Sequence, residues 1–276
     1  MNDDQTIGFH PGNTILYHLN ATAKLLFFLL VSVACMTTFD TRFLFAIALL
    51  SLVIFHLSGL KWRQVAFVVK FIGFFSILNV IMVFVFSPSY GAHLYGSQTI
   101  LLHAGYFTVT TQEIFYLFNV ALKYVCTVPL ALVFIMTTSP SLFASSLNRM
   151  GINYKISYAV SLTLRYIPDI QHSFWDISDA QQARGVELSK KAKLSTRLKG
   201  IISIVIPLIL SSFENIDKIS TAMQLRRFGS KKKRTWYASL PFRGRDYVIV
   251  GVAILLFVLT LWLFNVNDGR FYNPFK

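Results

Sequence analysis

Ile177-Ser178-Asp179-Ala180-Gln181-Gln182-Ala183-Arg184-Gly185 and Ile219-Ser220-Thr221-Ala222-Met223-Gln224-Leu225-Arg226-Arg227 are two versions of one pattern. Ile, Ser, Ala, Gln and Arg recur in the same order at an offset of 42 residues, from Arg184 to Arg226. Each stretch ends a segment with helical periodicity. Each has one proline well upstream, Pro168 in the first and Pro207 in the second. The chain thus presents the same basic helix end twice, and a surface built twice calls for a partner that comes twice.

The chain around this pair is 54% hydrophobic and only 14% charged over 276 residues, with a mean hydropathy of +0.56. That is too apolar for a soluble domain of this length and fits a polytopic membrane protein. The net charge is +14, concentrated in one region: residues 149–245 hold 18 of the 26 Lys and Arg but 6 of the 12 acids. Membrane topology accounts for such a block as the cytoplasmic part. A nucleic-acid surface is not required, and no nucleic-acid partner is expected. The start, Met1-Asn2-Asp3-Asp4, has no basic residue before Lys24, so no secretory signal is expected there. Cys35 and Cys126 both lie in apolar runs and read as buried packing, not as a disulfide framework or metal site.

Crossing a bilayer takes about 20 apolar residues, with a range of about 17–25. Five runs qualify or nearly do: residues 23–39, 43–60, 65–86, 114–136 and 247–264. The first two form a tight hairpin through Asp40-Thr41-Arg42. Lys61, Arg63 and Lys70 follow the second run, whereas the loop 87–113 has no Lys or Arg. The positive-inside rule then places the N-terminus, the Lys61 loop and the basic block in the cytoplasm, and loop 87–113 and the C-terminus outside. Loop 87–113, with Gly91, Gly96 and Gly105, reads as either a small hairpin cap or a coil. The expected architecture is an all-α polytopic membrane protein with about five transmembrane helices and a cytoplasmic coupling domain of long amphipathic helices. Its divisions are 1–138 for the first four spans, 139–245 for the cytoplasmic helices, and 246–276 for the last span and tail.

Within 139–245, Ser139-Pro140 reads as a helix start, with serine at the cap and proline in the first turn. Ile156, Val160, Leu164, Ile167, Ile170, Phe174 and Ile177 fall at spacings of 3 or 4 and make one apolar helix stripe. Pro168 should bend it, and Gly185 suits its C-terminal cap. The second segment runs from about Gly200 to Phe228. Its apolar part, Ile201–Phe213, would be only about 20 Å long, against a hydrocarbon core of about 30 Å, and reads as a poor span. The runs Lys190-Lys191-Ala192-Lys193 and Lys231-Lys232-Lys233-Arg234 read as basic linkers and anchors.

The spans contain no Asp or Glu, which speaks against a proton-coupled pump or a carboxylate enzyme in the membrane. Lys123, near the middle of the fourth run, is the intramembrane polar candidate. It reads equally as a contact inside a helix bundle or with a partner subunit, or as a lysine paired with a backbone carbonyl or water. No GxxxxGK[ST], HExxH, CxxC or GxSxG is present, and the six histidines are scattered. A cation at a helix C-terminus gains about 0.3–1 kcal/mol from the helix dipole, so a single Arg there would carry no meaning. Two in matched contexts favour docking, since arginine is enriched at interface hot spots.

Taken together, these motifs resemble the transmembrane T component of energy-coupling factor transporters, a branch of the ABC importers for vitamins and trace metals. In that family two Ala-Arg-Gly-like motifs end two coupling helices, each docking into a groove of one ATPase. Ala183-Arg184-Gly185 and Leu225-Arg226-Arg227 correspond to them. Leu164-Arg165-Tyr166-Ile167-Pro168 looks like the family's Leu-Arg-Phe-Ile-Pro, and Thr137-Thr138-Ser139-Pro140 like its Thr-Thr-x-Pro. Leu19-Asn20-Ala21-Thr22-Ala23-Lys24-Leu25-Leu26 is similar to its Leu-Asp-Pro-Arg-Thr-Lys-Leu-Leu, with Asp-Pro-Arg lost. The second motif also departs, carrying Leu and Arg where small residues are usual, which suggests two non-identical ATPases.

The resemblance implies a non-catalytic coupling subunit in a bacterial cell membrane. It implies no cofactor in this chain, with ATP and Mg2+ on two partner ATPases, and a small integral membrane S component that captures substrate. Pro168 and Pro207 are then hinge candidates. Two other classes compete. The permease of another ABC importer would need a Glu-Ala-Ala…Gly loop, which is absent. A membrane-bound lipid-modifying enzyme would need interfacial acids, for which Asp169, Asp176 and Asp179 are available, although they read as a solvated helix face.

Overall fold

The computed structural model describes residues 12, 14–88, 90–96, 99–104, 107–188, 193–231, 235–237 and 239–275. Residues 1–11, Gly105, the basic pieces Lys190-Lys191-Ala192 and Lys232-Lys233-Arg234 thus lie outside the described residues. The chain is an all-α polytopic membrane protein with one small hairpin. In order it forms α1 (Ala21–Thr37), α2 (Thr41–Leu57), α3 (Trp62–Phe86), α4 (Tyr90–Tyr95), β1 (Ile100–Ala104), β2 (Phe107–Thr110), α5 (Thr111–Thr137), α6 (Pro140–Arg149), α7 (Tyr154–Ala183), α8 (Leu194–Leu225) and α9 (Gly244–Val266). It divides into two compact units, residues 1–142 with 240–276, and residues 143–239.

Four helices, α3, α5, α8 and α9, are long and apolar enough to cross a membrane. At 17 residues α1 and α2 reach about 26 Å, a little short of the hydrocarbon core. The appearance of α8 in this group differs from the sequence expectation. The helix continues past Glu214 as expected, but it starts at Leu194, six residues before Gly200, and runs unbroken for 32 residues through Pro207, so the part 201–213 does not stand alone. The Ala, Met, Gln and Leu that follow are good helix formers, so nothing stops propagation before Leu225. The described residues of loop 87–113 include the short helix α4 and the antiparallel hairpin β1–β2, with Ala104 opposite Phe107.

In the first unit α5 is the hub, packing against α1, α2, α3 and α4. Leu122, Cys126 and Leu130 of α5 share a core cluster with Val31, Ala34 and Cys35 of α1 and Phe43, Leu44 and Ile47 of α2. Polar side chains also hold these helices together. Thr41 Oγ donates to Asn119 Oδ1 at 2.8 Å, and Cys126 Sγ to the Leu44 carbonyl at 3.1 Å. By contrast, α3 is a peripheral helix with Val65 as its one buried residue.

Two lysines tie α1 to α5 at opposite ends. Lys24, buried near the start of α1, donates to the Thr137 carbonyl at the end of α5 at 2.8 Å and to its hydroxyl at 3.2 Å. Lys123 of α5 donates to the Met36 carbonyl in the last turn of α1 at 2.8 Å, with its ammonium 3.3 Å from the centre of the Phe39 ring. Each ammonium meets the carbonyl end of the other helix, where the dipole favours a cation. The structure pairs Lys123 with a backbone carbonyl, and that carbonyl belongs to a neighbouring helix of the same bundle.

The contacts of Asn20 account for the first of the three positions at which the N-terminal motif departs. Its side-chain oxygen caps α1 by accepting from Thr22 N–H, while its amide donates to the Leu240 carbonyl at 2.7 Å. Its own backbone N–H donates to the buried carboxylate of Asp246 at 2.9 Å. An aspartate at position 20 could not make the Leu240 bond and would crowd a second carboxylate against Asp246. At the other end of α1, Asp40 caps α2 and accepts from Asn267 beyond α9 at 2.7 Å.

Pro129 lies inside α5 and removes the N–H that would bond the Val125 carbonyl. Ser51 of α2, fully buried, reaches that carbonyl: its hydroxyl is 3.0 Å from Val125 O and 2.8 Å from Ala48 O in its own helix, so its one proton is shared between the two. Ser51→Ala should therefore cost about 1 kcal/mol by leaving a part-buried carbonyl unmet. In Pro129→Ala, where the helix bond is restored, the same serine change should cost clearly less. Thermal unfolding of the two single variants and the double variant measures the difference; equal cost in both backgrounds would show that the serine does not serve the proline gap.

Candidate functional site

The second unit is built on α7 and α8, helices of 30 and 32 residues. Asn153 caps α7 by accepting from Lys155 N–H. Both helices keep a proline inside, Pro168 and Pro207, and neither ends there. The repeated sequence pattern becomes a repeated backbone at their C-termini. Arg184 and Arg226 are the C-cap residues, with φ/ψ of −84/5° and −82/12°. The next residue is left-handed in both, Gly185 at φ 89° and Arg227 at φ 51°.

The closing hydrogen bonds match too. Val186 N–H reaches Gln181 O and Gly185 N–H reaches Gln182 O; Phe228 N–H reaches Met223 O and Arg227 N–H reaches Gln224 O. Both are Schellman ends, in which the chain reverses after the helix and the last carbonyls are satisfied. Ala183, Arg184, Gly185, Leu225, Arg226 and Arg227 are all exposed. Among the described residues the Arg184 guanidinium makes no hydrogen bond or ion pair.

The ends differ in how they are held. After the second, Phe228 packs on two tyrosines one turn apart at the start of α7, with ring centroids 5.6 Å from Tyr154 and 4.7 Å from Tyr158. Trp236 closes this cluster, donating its indole N–H to Asn148 Oδ1 at 3.0 Å. After the first end, Val186 and Leu188 fold against Gly200 near the start of α8, where an added Cβ would stand 2.8 Å from Leu188 and 3.0 Å from Val186. So α7 and α8 run antiparallel, each meeting the other's far end. From Tyr158 to Arg184 the helix rises about 39 Å, which separates the two arginine ends by most of a helix length.

Between the helices lies an open groove of about 840 Å3. Tyr166, Ile167 and Ile170 of α7 and Ile216, Ile219 and Met223 of α8 supply its apolar wall. Asp169 lines the same groove, with Lys218 of α8 also in its wall. Sequence reading missed the Phe228 cluster and the Gly200 seat. A signal for the first existed: Tyr154 and Tyr158 are four residues apart, on one helix face, and an aromatic follows the second motif directly.

A family model described as CbiQ, cobalt transport protein, matches residues 12–237, which include both arginine ends and the helices that carry them. The chain belongs to the CbiQ family of cobalt transport proteins. Within it, the chain resembles the T components of energy-coupling factor transporters. It is 28% identical over 266 residues to the energy-coupling factor transporter transmembrane protein EcfT of Staphylococcus aureus, covering 90% of this chain and 94% of the relative. It is 24% identical over 261 residues to the protein of that name from Lactococcus lactis (91% and 95% covered). For that of Bacillus selenitireducens the figure is 28% over 268 residues (92% and 95%). These relatives are transporter membrane proteins by name. For this CbiQ-family chain the match spans nearly the whole length, not the motifs alone.

The matched helix ends generate a stability prediction. Gly185→Ala puts a side chain into a left-handed position and should cost about 1 kcal/mol. Arg227→Gly, at the equivalent position of the second end, removes that strain and should leave stability equal or higher. Thermal melting of the purified protein reads both; a destabilised Arg227→Gly would mean that the Arg227 side chain holds the turn.

Proposed function

We propose that this chain is the coupling subunit of an energy-coupling factor importer. Arg184 and Arg226 dock two ABC ATPase subunits, which bind and hydrolyse ATP with Mg2+ in the cytoplasm. The N-terminus and the α7–α8 unit face that side of a bacterial cell membrane. Movement of the ATPases passes through α7 and α8, with Pro168 and Pro207 as bending points, to a small integral membrane S component that captures a vitamin or other micronutrient. The chain itself performs no chemistry.

The observation that carries the reading is the duplicated helix end, with an exposed arginine at the same cap position and the same reversal of the chain after it. An arginine serving only the helix dipole needs neither the repeated turn nor exposure on both helices. The two ends are also about 39 Å apart along the helix pair, a spacing suited to two separate protein partners. The difference between Ala183-Arg184-Gly185 and Leu225-Arg226-Arg227 fits two ATPases that are not identical.

Reversing both charges, Arg184→Glu with Arg226→Glu, tests the proposal. At hot-spot values of about 2 kcal/mol per site, each change should weaken assembly by about 30-fold, and the pair should abolish co-purification of the ATPases while membrane insertion persists. Affinity purification from the native host, with the copurifying subunits identified, is the measurement. Undiminished ATPase recovery and transport by the double variant would refute it.

A further inference from the structure

Helix α3 is fixed to the rest of its unit near one end. Val65, Val68 and Val69, close to its start, pack against Leu132 and Met136 of α5. From Phe71 to Phe86 no residue of the helix is buried. Alongside lies an apolar groove of about 390 Å3 between α2, α3 and α5. On α3 it is lined from Trp62 to Ile77, a rise of about 22 Å. Its described wall holds no charged residue, and Ser76 and Tyr124 carry its only hydroxyls. Gly73 faces it with room to spare: an added Cβ there would meet nothing within 4 Å.

Width and charge point to what fills it. An α-helix with its side chains is about 10–12 Å across and over that length would occupy about 1,700–2,500 Å3, several times what the groove encloses. A polymethylene chain, about 4–4.5 Å across at van der Waals contact, fits. At one end Trp62 is 60% exposed and flanked by exposed Lys61 and Arg63. Trp, Lys and Arg are the residues of a membrane–water interface. The three helices of the groove carry one acid among them, Glu113, at the opposite end of α5. Among the described residues neither Lys61 nor Arg63 makes an ion pair. One leaflet of hydrocarbon is about 15 Å deep. The rise from Trp62 to Gly73 is about 16 Å, so a chain anchored at the level of Trp62 ends beside Gly73.

We infer that this groove holds an acyl chain of an anionic phospholipid, with the headgroup phosphate at Lys61 and Arg63. Arginine offers the phosphate a forked pair of donors and lysine a point charge. The chain supplies, beyond Val69, the packing that α3 does not find in its own unit. The site lies apart from both arginine ends and holds whatever docks on them.

The test uses the full chain in nanodiscs of equal parts phosphatidylcholine and phosphatidylglycerol, with retained lipid identified by native mass spectrometry. The wild type should keep phosphatidylglycerol in preference. Gly73→Leu places its side chain in the groove and should cut that retention about tenfold without lowering the melting temperature. Lys61→Gln with Arg63→Gln should reduce the preference over phosphatidylcholine by about fivefold per cation. Gly251→Leu, at an exposed glycine of α9 with equal room, is the control. The inference is overturned if the wild type shows no preference, if Gly73→Leu retains as much as the wild type, or if the charge variant keeps the preference. It is overturned as well if Gly251→Leu loses as much as Gly73→Leu, which would describe a general lipid shell. A photo-crosslinker on Ser76→Cys in membranes of the native host reads the other occupants: an adduct with lipid supports the inference, and one with a second copy or another protein overturns it.

Discussion

The exchange of lysines between α1 and α5 is the constraint on which the first unit rests. Burying an ammonium is costly unless its charge is met, and here each is met by the carbonyl end of the opposite helix. Because Lys24 reaches Thr137 and Lys123 reaches Met36, the two helices are fixed in register at both ends. Sliding α1 by one turn against α5 would break both bonds and strand two buried cations. Apolar packing alone sets register weakly in a membrane, where lipid competes on equal terms for the same surfaces. The remaining helices inherit this alignment through α5, which carries α2 on Asn119, Cys126 and the Val125 carbonyl.

The contact also joins two stretches that had only looked familiar separately. Lys24 belongs to the N-terminal motif and Thr137 to the Thr-Thr-x-Pro stretch. They lie more than a hundred residues apart in sequence, yet form one bond. Thr137 accepts from Lys24 while donating its hydroxyl proton to the Val133 carbonyl at 2.7 Å. A valine in its place would keep the carbonyl that accepts from Lys24 at 2.8 Å but lose the hydroxyl that accepts from it at 3.2 Å and donates to Val133.

The fold class was legible because the bilayer imposes coarse rules on composition and length, and the apolar runs obey them. The paired helix ends were legible for a different reason: a Schellman turn demands specific residues at specific offsets, so the geometry leaves a trace in local sequence. What stayed hidden depended on partners distant in the chain. Nothing around Ser51 announces that it repairs a gap opened by Pro129, and nothing around Asn20 announces the carbonyl of Leu240. The extent of α8 was close to expectation, about Gly200–Phe228 against Leu194–Leu225, but its fitness to cross a membrane was missed because the apolar part was read as 201–213 alone, while the helix begins six residues before Gly200. Arg227, in a left-handed conformation without being glycine, could be recognised only from its alignment with Gly185.

Pro168 has a mechanical meaning beyond its missing hydrogen bond. Sixteen residues separate it from Arg184, a lever arm of about 24 Å. A change of about 10° in the bend sweeps the arginine through about 4 Å, while side chains beside the proline shift by a small fraction of that. With Pro168 as the proposed bending point, the helix would be geared: large travel at the exposed end would correspond to fine motion at the groove beside Tyr166 and Ile167. The same ratio would multiply force, so a modest pull at Arg184 under the proposed coupling would arrive at the groove as a short, strong displacement.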